Sequence, residues 1–329
     1  MKLLIERMLA FGLFLLGALG GAGLRAQTCS PDGDRFPSKP IHWIVPYPPG
    51  GPTDVVARIV GQRLSERLRQ PVLIENRAGA FGNIGLEAAA RAAPDGYTLA
   101  FGMTSMVLNP VLHRLDFDPL TDLTAVTQLV TVTYVLLASA DFPPRTLPEV
   151  LAVAKAKPGT VTCGWGATVF QLGCELLKVQ GQVDLNAIPY KGNAPAMNDL
   201  AGGQINLLFD SANTALPQVK SGRVRAIATA NPKRGTGPFG GLPTVAETLR
   251  GFELTGWFGV LAPAATPRHI VDRLNCEIAA VLEEDELRAR LNESGLEVVH
   301  GTPEAFAEVI RGDHARYSKM VTDLGIRAE

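Results

Sequence analysis

The chain has 329 residues, enough for about two domains whose cores need neither a metal nor a disulfide scaffold. Hydrophobic residues make up 46% and charged residues 19%, which excludes a disordered or coiled-coil chain. With 31 basic against 32 acidic residues there is no positive excess to condense on a phosphate backbone, so nucleic acid is excluded as a partner.

Residues 1–26 open with Lys2 and Arg7, continue through an apolar run and end in small residues before Ala26, the layout of a secretory signal peptide cleaved near Ala26. The run is about 12 residues where a membrane span needs about 20, and no other apolar stretch approaches that length. A periplasmic protein is expected. Removing residues 1–26 takes away three basic residues and one acidic, leaving 28 against 31.

After a polar leader over 27–38, short apolar runs alternate with amphipathic helical patterns, which predicts α/β units. Residues 41–45 read as a buried strand, and Val55, Val56, Ile59, Val60, Leu64 and Leu68 form a helical stripe. A strand over 72–75, a helix over 84–92 and a strand over 97–102 behind Pro94-Asp95-Gly96 follow. A strand over 132–139 leads into helices 147–157 and 170–180, strand 187–190, helix 194–201, and strands 205–209 and 225–230. The tail carries helices over 270–282, 285–292 and 303–321. The simplest architecture is two lobes: 39–133 in the first, 134–257 in the second, and 258–329 returning to the first with the C-terminal helices. Residues 134–139 lead out and 256–262 lead back.

Cys29, Cys163, Cys174 and Cys276 are too few for a disulfide framework. Cys163 and Cys174, separated by a loop and part of a helix, fit either a bridge or two small buried side chains. Cys276 falls on an amphipathic stripe and reads as core. Ala26-Gln27-Thr28 is a poor context for lipidating Cys29.

Four turns carry the chemistry. Pro46-Tyr47-Pro48-Pro49-Gly50-Gly51-Pro52-Thr53-Asp54 joins a strand to a helix, with Pro52 suited to the first helical position and Gly50 and Gly51 allowing close approach to the backbone. Such a turn is either a plain connection or an anion site built from helix N-terminal N–H groups and the Thr53 hydroxyl. Asn76-Arg77-Ala78-Gly79-Ala80-Phe81-Gly82-Asn83-Ile84-Gly85 repeats the arrangement, so two helix starts converge at one sheet edge. Its G-x-x-G-x-x-G spacing and the lack of an acid after the next strand argue against a dinucleotide. In the second lobe, Lys191 of Tyr190-Lys191-Gly192-Asn193-Ala194 is either solvated or a carboxylate partner. Asp210 either accepts from a ligand or caps the next helix. No catalytic constellation, metal-ligand spacing or cofactor motif occurs, and the five histidines are scattered.

Several of these segments together resemble a known family. Val45 to Asp54, Glu75-Asn76-Arg77, Gly82-Asn83-Ile84-Gly85, Pro94-Asp95-Gly96-Tyr97-Thr98, Pro189-Tyr190-Lys191-Gly192, Leu242-Pro243-Thr244-Val245-Ala246-Glu247 and Trp257-Phe258-Gly259 with Ala262-Pro263 are similar to the Bug proteins. These are extracytoplasmic receptors of tripartite tricarboxylate transporters, and the likeness runs from about Pro37 to the C-terminus. The resemblance implies a two-lobed periplasmic binding protein of the Venus-flytrap, type II-like kind, working as a monomer with no cofactor. It implies closure over a small carboxylate (an organic acid, acidic amino acid or aromatic carboxylate) for delivery to membrane permease subunits. A ligand-responsive co-sensor without a transport role and a secreted hydrolase are the alternatives. The site residues it implies are Pro49, Gly50, Gly51, Thr53, Asp54, Gly82, Asn83, Ile84, Thr104 and Ser105 from the first lobe. Thr168, Tyr190, Lys191, Ala194 and Asp210 come from the second. The family commonly has Pro-Gly-Ala-Gly-Gly where this chain has Ala78-Gly79-Ala80-Phe81-Gly82, so Phe81 adds a ring that narrows the cleft. The loop 162–168 looks short and lacks the His-Leu pair often found at Gln171-Leu172, and Trp165 is either packing or a cleft wall.

Overall fold

The computed structural model describes residue 29 and residues 36–235 and 237–326. The expected signal peptide 1–26 lies outside them, as does the leader except for residues 29 and 36–38. Two mixed sheets, each flanked by helices, make up the two lobes.

In the first lobe, β1 (Ile41–Val45) runs parallel to β2 (Val72–Asn76) and β3 (Thr98–Met103). All of β1 but His42 is buried, as expected for a strand covered on both faces. Helix α1 (Pro52–Leu68) crosses back from β1 to β2 and ends at Arg69, which turns left-handed. Helices α2 (Asn83–Ala90) and α3 (Ser105–Leu112) start at the ends of the next turn and of β3. Two further strands, β4 (Leu123–Val132) and β10 (Gly256–Pro263), run antiparallel to each other, and β10 pairs with β3. With β11 (Leu296–Val298) on the outside, the order is β11-β4-β10-β3-β1-β2.

In the second lobe, β5 (Tyr134–Ser139) lies between β8 (Leu207–Ser211) and β9 (Val224–Thr229), antiparallel to both. β6 (Thr162–Trp165) runs parallel to β7 (Asn186–Pro189) and β8, which gives the order β7-β6-β8-β5-β9. Helices α4 (Leu147–Ala156), α5 (Thr168–Gly181), α6 (Asn193–Ala201) and α7 (Ala212–Lys220) fill the connections, and the short α8 (Val245–Thr248) follows β9. The tail adds α9 (Arg268–Leu282), α10 (Asp285–Glu293) and α11 (Pro303–Asp323). α11 packs on β4, bringing Phe306 edge-on to Trp257 at 5.0 Å. Trp43, Phe101 and Phe258 form the aromatic spine of the first core, with ring centroids 5.5 and 5.4 Å apart along the chain of contacts. Burying each such side chain stabilises by roughly 1.5–3 kcal/mol.

Three expectations need correction, and one helix was not anticipated. The apparent strand over 132–139 is the junction of two: Thr133 separates β4, in the first sheet, from β5, in the second. Residues 105–112 form a helix that apolar composition without periodicity, and Pro110 inside it, conceals. Residues 162–165 are a strand and not a loop, so Cys163 sits on β6 and Cys174 on α5. Their sulfurs are bonded at 2.00 Å with Cα atoms 6.0 Å apart, which settles that alternative for the bridge. Cys276, expected as core, is half-buried and disulfide-bonded.

Candidate functional site

The turn after β1 is fixed by Asp54. Its carboxylate accepts from Gly50 N–H at 2.9 Å, Arg58 Nε at 3.0 Å and Asn76 Nδ2 at 2.9 Å. Burial pushes this carboxyl up, but the hydrogen bonds from Arg58, Gly50 and Asn76 outweigh it and hold the group below its usual range. Asp54 is therefore saturated and supports the turn without an oxygen to spare. Gly51 precedes α1 in extended conformation and Pro52 takes the first helical position. The helical ladder begins only with Val55 donating to Gly51 O at 3.1 Å, so the Thr53 and Asp54 N–H groups lie ahead of it. Thr53 is 1% exposed and its Oγ1 has no hydrogen-bond partner. Thr53 also lines a void of about 10 Å3, room for one water-sized group. Gly51 and Tyr47 line it from the first lobe, and Gly166, Phe170, Asn193 and Ala194 from the second.

The second turn is strained. Ala80 (φ 44°) and Phe81 (φ 56°) are both left-handed, a conformation that costs a side-chain-bearing residue roughly 1–2 kcal/mol. The Phe81 carbonyl is held by the Tyr47 hydroxyl at 3.1 Å and Asn109 Nδ2 at 3.3 Å. Burial raises the Tyr47 phenol well above its ordinary range, with a hydrogen bond to Ser105 acting the other way. Held in this way, the Phe81 ring stacks on His113 at 4.6 Å and meets Trp165 of the other lobe at 5.1 Å. Asn83 is buried, its Oδ1 accepting from Asn109 Nδ2 at 2.6 Å. Ile84 is 52% exposed and lies over Gly79, outside the site.

In the second lobe Asn193, the first residue of α6, ties three turns together. Its Oδ1 accepts from Gly166 N–H at 3.0 Å, while Nδ2 donates to Phe209 O and Asp210 Oδ1, both at 2.8 Å. Asp210 also accepts from the Thr214 hydroxyl at 2.8 Å. Burial pushes its carboxyl up to about 6 against these bonds from Asn193 and Thr214 and a third from the Ser211 amide. Of the two roles open to it from sequence, Asp210 takes the supporting one. The Tyr190 hydroxyl donates to Asp199 at 2.8 Å, and burial together with that carboxylate pushes the phenol up to about 12. Lys191 is exposed and has no acidic partner among the described residues. At Gly192 (φ 121°) the lobes approach closely, for a Cβ there would lie 2.6 Å from Pro48 Cδ.

Tyr47, Pro48 and residues 79–82 of the first lobe, with Gly166 and residues 189–192 of the second, enclose a cavity of about 240 Å3 beside the small void. Around it the lobes are hydrogen-bonded directly. Thr168 donates to Asn109 Oδ1 at 2.6 Å, Val169 N–H to Ser105 Oγ at 3.1 Å, and Asn213 Nδ2 to Pro52 O at 3.2 Å.

Gly51, Thr53, Gly82, Tyr190, Lys191 and Ala194 thus line the two spaces, while Ser105 and Thr168 bridge the lobes. Pro49 and Gly50 are exposed outside both spaces, and Thr104 accepts from Trp257 N–H at 3.0 Å within the first lobe. Sequence reasoning missed Tyr47, Pro48, Gly166 and Phe170 as lining residues and Asn109 and Asn193 as supports. Tyr47 and Pro48 carried a signal in their place inside the first Gly-rich turn, as did Asn193 inside the turn 190–194. No group of three His, Cys, Asp or Glu among the described residues is placed to hold a metal.

Residues 56–326 match the family described as the tripartite tricarboxylate transporter family receptor. The periplasmic binding protein BugD is 32% identical, covering 89% of this chain and 100% of its own, with a TM-score of 0.85. A Rhodopseudomonas palustris protein solved with adipate is 33% identical over 89% of this chain and 99% of that one, TM-score 0.85. MatC of Rhodopseudomonas palustris, with bound malate, is 32% identical over 87% and 100%, TM-score 0.83. The cleft between two α/β lobes and these likenesses agree: the chain belongs to the receptor family of the tripartite tricarboxylate transporters, the Bug-type periplasmic solute receptors.

Proposed function

We propose that this receptor holds a small carboxylated solute in the interlobe cavity and delivers it to the membrane permease subunits of a tripartite tricarboxylate transporter. The observation that carries the reading is Lys191, the charged residue that lines the cavity, with no acidic partner among the described residues. Similar proteins solved with adipate and malate support a carboxylate as the solute. The signal-peptide pattern of residues 1–26 supports export, and no helix among the described residues is long and apolar enough to cross a membrane. Micromolar affinity requires about −8 kcal/mol, and hydrogen bonds to a charged group contribute roughly 1.5–3 kcal/mol each, so Lys191 and a few N–H donors suffice if closure costs little. Closure also removes water, which strengthens each of those bonds.

The test is thermal denaturation against a panel of organic acids, acidic amino acids and neutral sugars. A carboxylate at about 100 times its Kd should stabilise by about 2.7 kcal/mol. Lys191→Met should remove the response. Stabilisation by neutral sugars alone would sink the reading. Uptake of the stabilising acid in a strain lacking this protein tests delivery, and undiminished uptake would leave only a sensing role.

A further inference from the structure

The walls of the interlobe cavity narrow the class of solute, resting on the reading that it binds a carboxylate. Tyr47, Phe81 and Tyr190 line it, with Pro48 and Pro189 beside them. Both phenols already donate within the protein, Tyr47 to Phe81 O at 3.1 Å and Tyr190 to Asp199 at 2.8 Å. The rings therefore offer the cavity apolar faces and edges and no free hydroxyl hydrogen. Phe81 reaches its place only through a left-handed backbone, and the two side-chain donors on its carbonyl keep it there. Strain retained at a cavity wall points to a role for the turn that holds the ring there. Lys191 is the one charged residue lining the cavity. A straight-chain dicarboxylate would leave its second carboxylate desolvated against rings and prolines, with no second cation to meet it. We propose that the receptor selects a flat aromatic monocarboxylate, its ring against Tyr47, Phe81 and Tyr190 and its carboxylate on the Lys191 ammonium.

Calorimetric titration of the purified protein with benzoate, malate and adipate tests this. Benzoate should bind at least about tenfold more tightly than either dicarboxylate, a difference of about 1.4 kcal/mol. Phe81→Leu and Tyr190→Leu should each weaken benzoate several-fold more than malate, with unliganded melting temperatures confirming that both variants fold. Equal or tighter binding of malate or adipate, or equal weakening of all three acids by Phe81→Leu, would overturn the aromatic selectivity and leave the carboxylate receptor standing. Silence from all three acids, with a neutral sugar binding, would overturn both.

Discussion

The Thr168 hydroxyl, on the first residue of α5 in the second lobe, donates to Asn109 Oδ1 in α3 of the first lobe at 2.6 Å, and both residues are fully buried. Asn109 spends its amide hydrogens on Asn83 Oδ1 and Phe81 O, so the bond ties the second lobe to the strained turn beside the cavity. It exists only when the lobes are together. Thr168→Val keeps the shape and removes the donor, leaving a buried oxygen unpaired in the closed form at a cost of about 1–3 kcal/mol. The solute must then supply that free energy to close the lobes, so its affinity should fall roughly tenfold or more. Calorimetry reads the affinity and small-angle scattering reads the increased radius of the unliganded protein; unchanged values of both would show that the bond does not couple the lobes.

Gly51→Asp separates stability from binding. A Cβ at Gly51 would meet only Pro48 O, at an ordinary 3.5 Å, and the backbone there (φ −76°, ψ 171°) is open to any residue. Aspartate is a favoured helix N-cap, better than glycine by a few tenths of a kcal/mol, so the melting temperature should hold or rise slightly. The new carboxylate would cap the first-turn N–H groups of α1 and place a negative charge beside Thr53, in the void that adjoins the cavity, so a carboxylate seated on Lys191 should be repelled and its affinity should fall. Wild-type affinity in a folded Gly51→Asp protein would remove this turn from the site.

Asp210 makes stability depend on pH. Its native carboxyl titrates at about 6, against an ordinary value of 3.8, because burial disfavours the charged form. The native state therefore holds the proton more firmly than the unfolded chain, and stability is greatest below pH 3.8 and falls as pH rises toward 6. About two pKa units correspond to about 3 kcal/mol as an upper bound. Asp210→Asn should abolish this component, so the difference in unfolding free energy between the two proteins should change across pH 4–6 and stay constant above it. Urea titrations at a series of pH values measure that difference; a constant difference throughout would mean that Asp210 titrates normally.

The parts of the site that could be read from sequence are those in which local order carries the chemistry. The β1–α1 turn announced itself through Pro52 at a helix start, and the strand before it through a short apolar run broken only by His42. Asn109 gave no such signal. It lies in an apolar stretch without periodicity, its partners Phe81 and Thr168 are 28 and 59 residues away, and only the folded topology makes it the joint between lobes. Asp54 and Asp210 show a related limit: a carboxylate at a helix start caps backbone amides as readily as it meets a solute, and here neighbouring groups within the protein donate to both. Thr133 shows a third limit. One continuous β-prone run, 123–139, is divided between two sheets, and no local preference marks the residue where the chain changes lobe.

The Cys163–Cys174 bridge joins β6 to α5, the helix whose first two residues, Thr168 and Val169, reach across to Asn109 and Ser105. It closes a short loop, for which chain entropy predicts about 2–3 kcal/mol of stabilisation. Replacing both cysteines with serine also puts two hydroxyls where the sulfurs are fully buried, so the loss should reach or exceed that figure. Because the bridge anchors the helix start that makes the interlobe bonds, its removal should also weaken solute binding under conditions where the protein remains folded. Urea denaturation of the double variant, and calorimetry at low urea, test the two consequences separately. A full loss of stability with unaltered affinity would confine the bridge to holding the second lobe together, whereas a loss of both would place it among the elements that position α5 for closure.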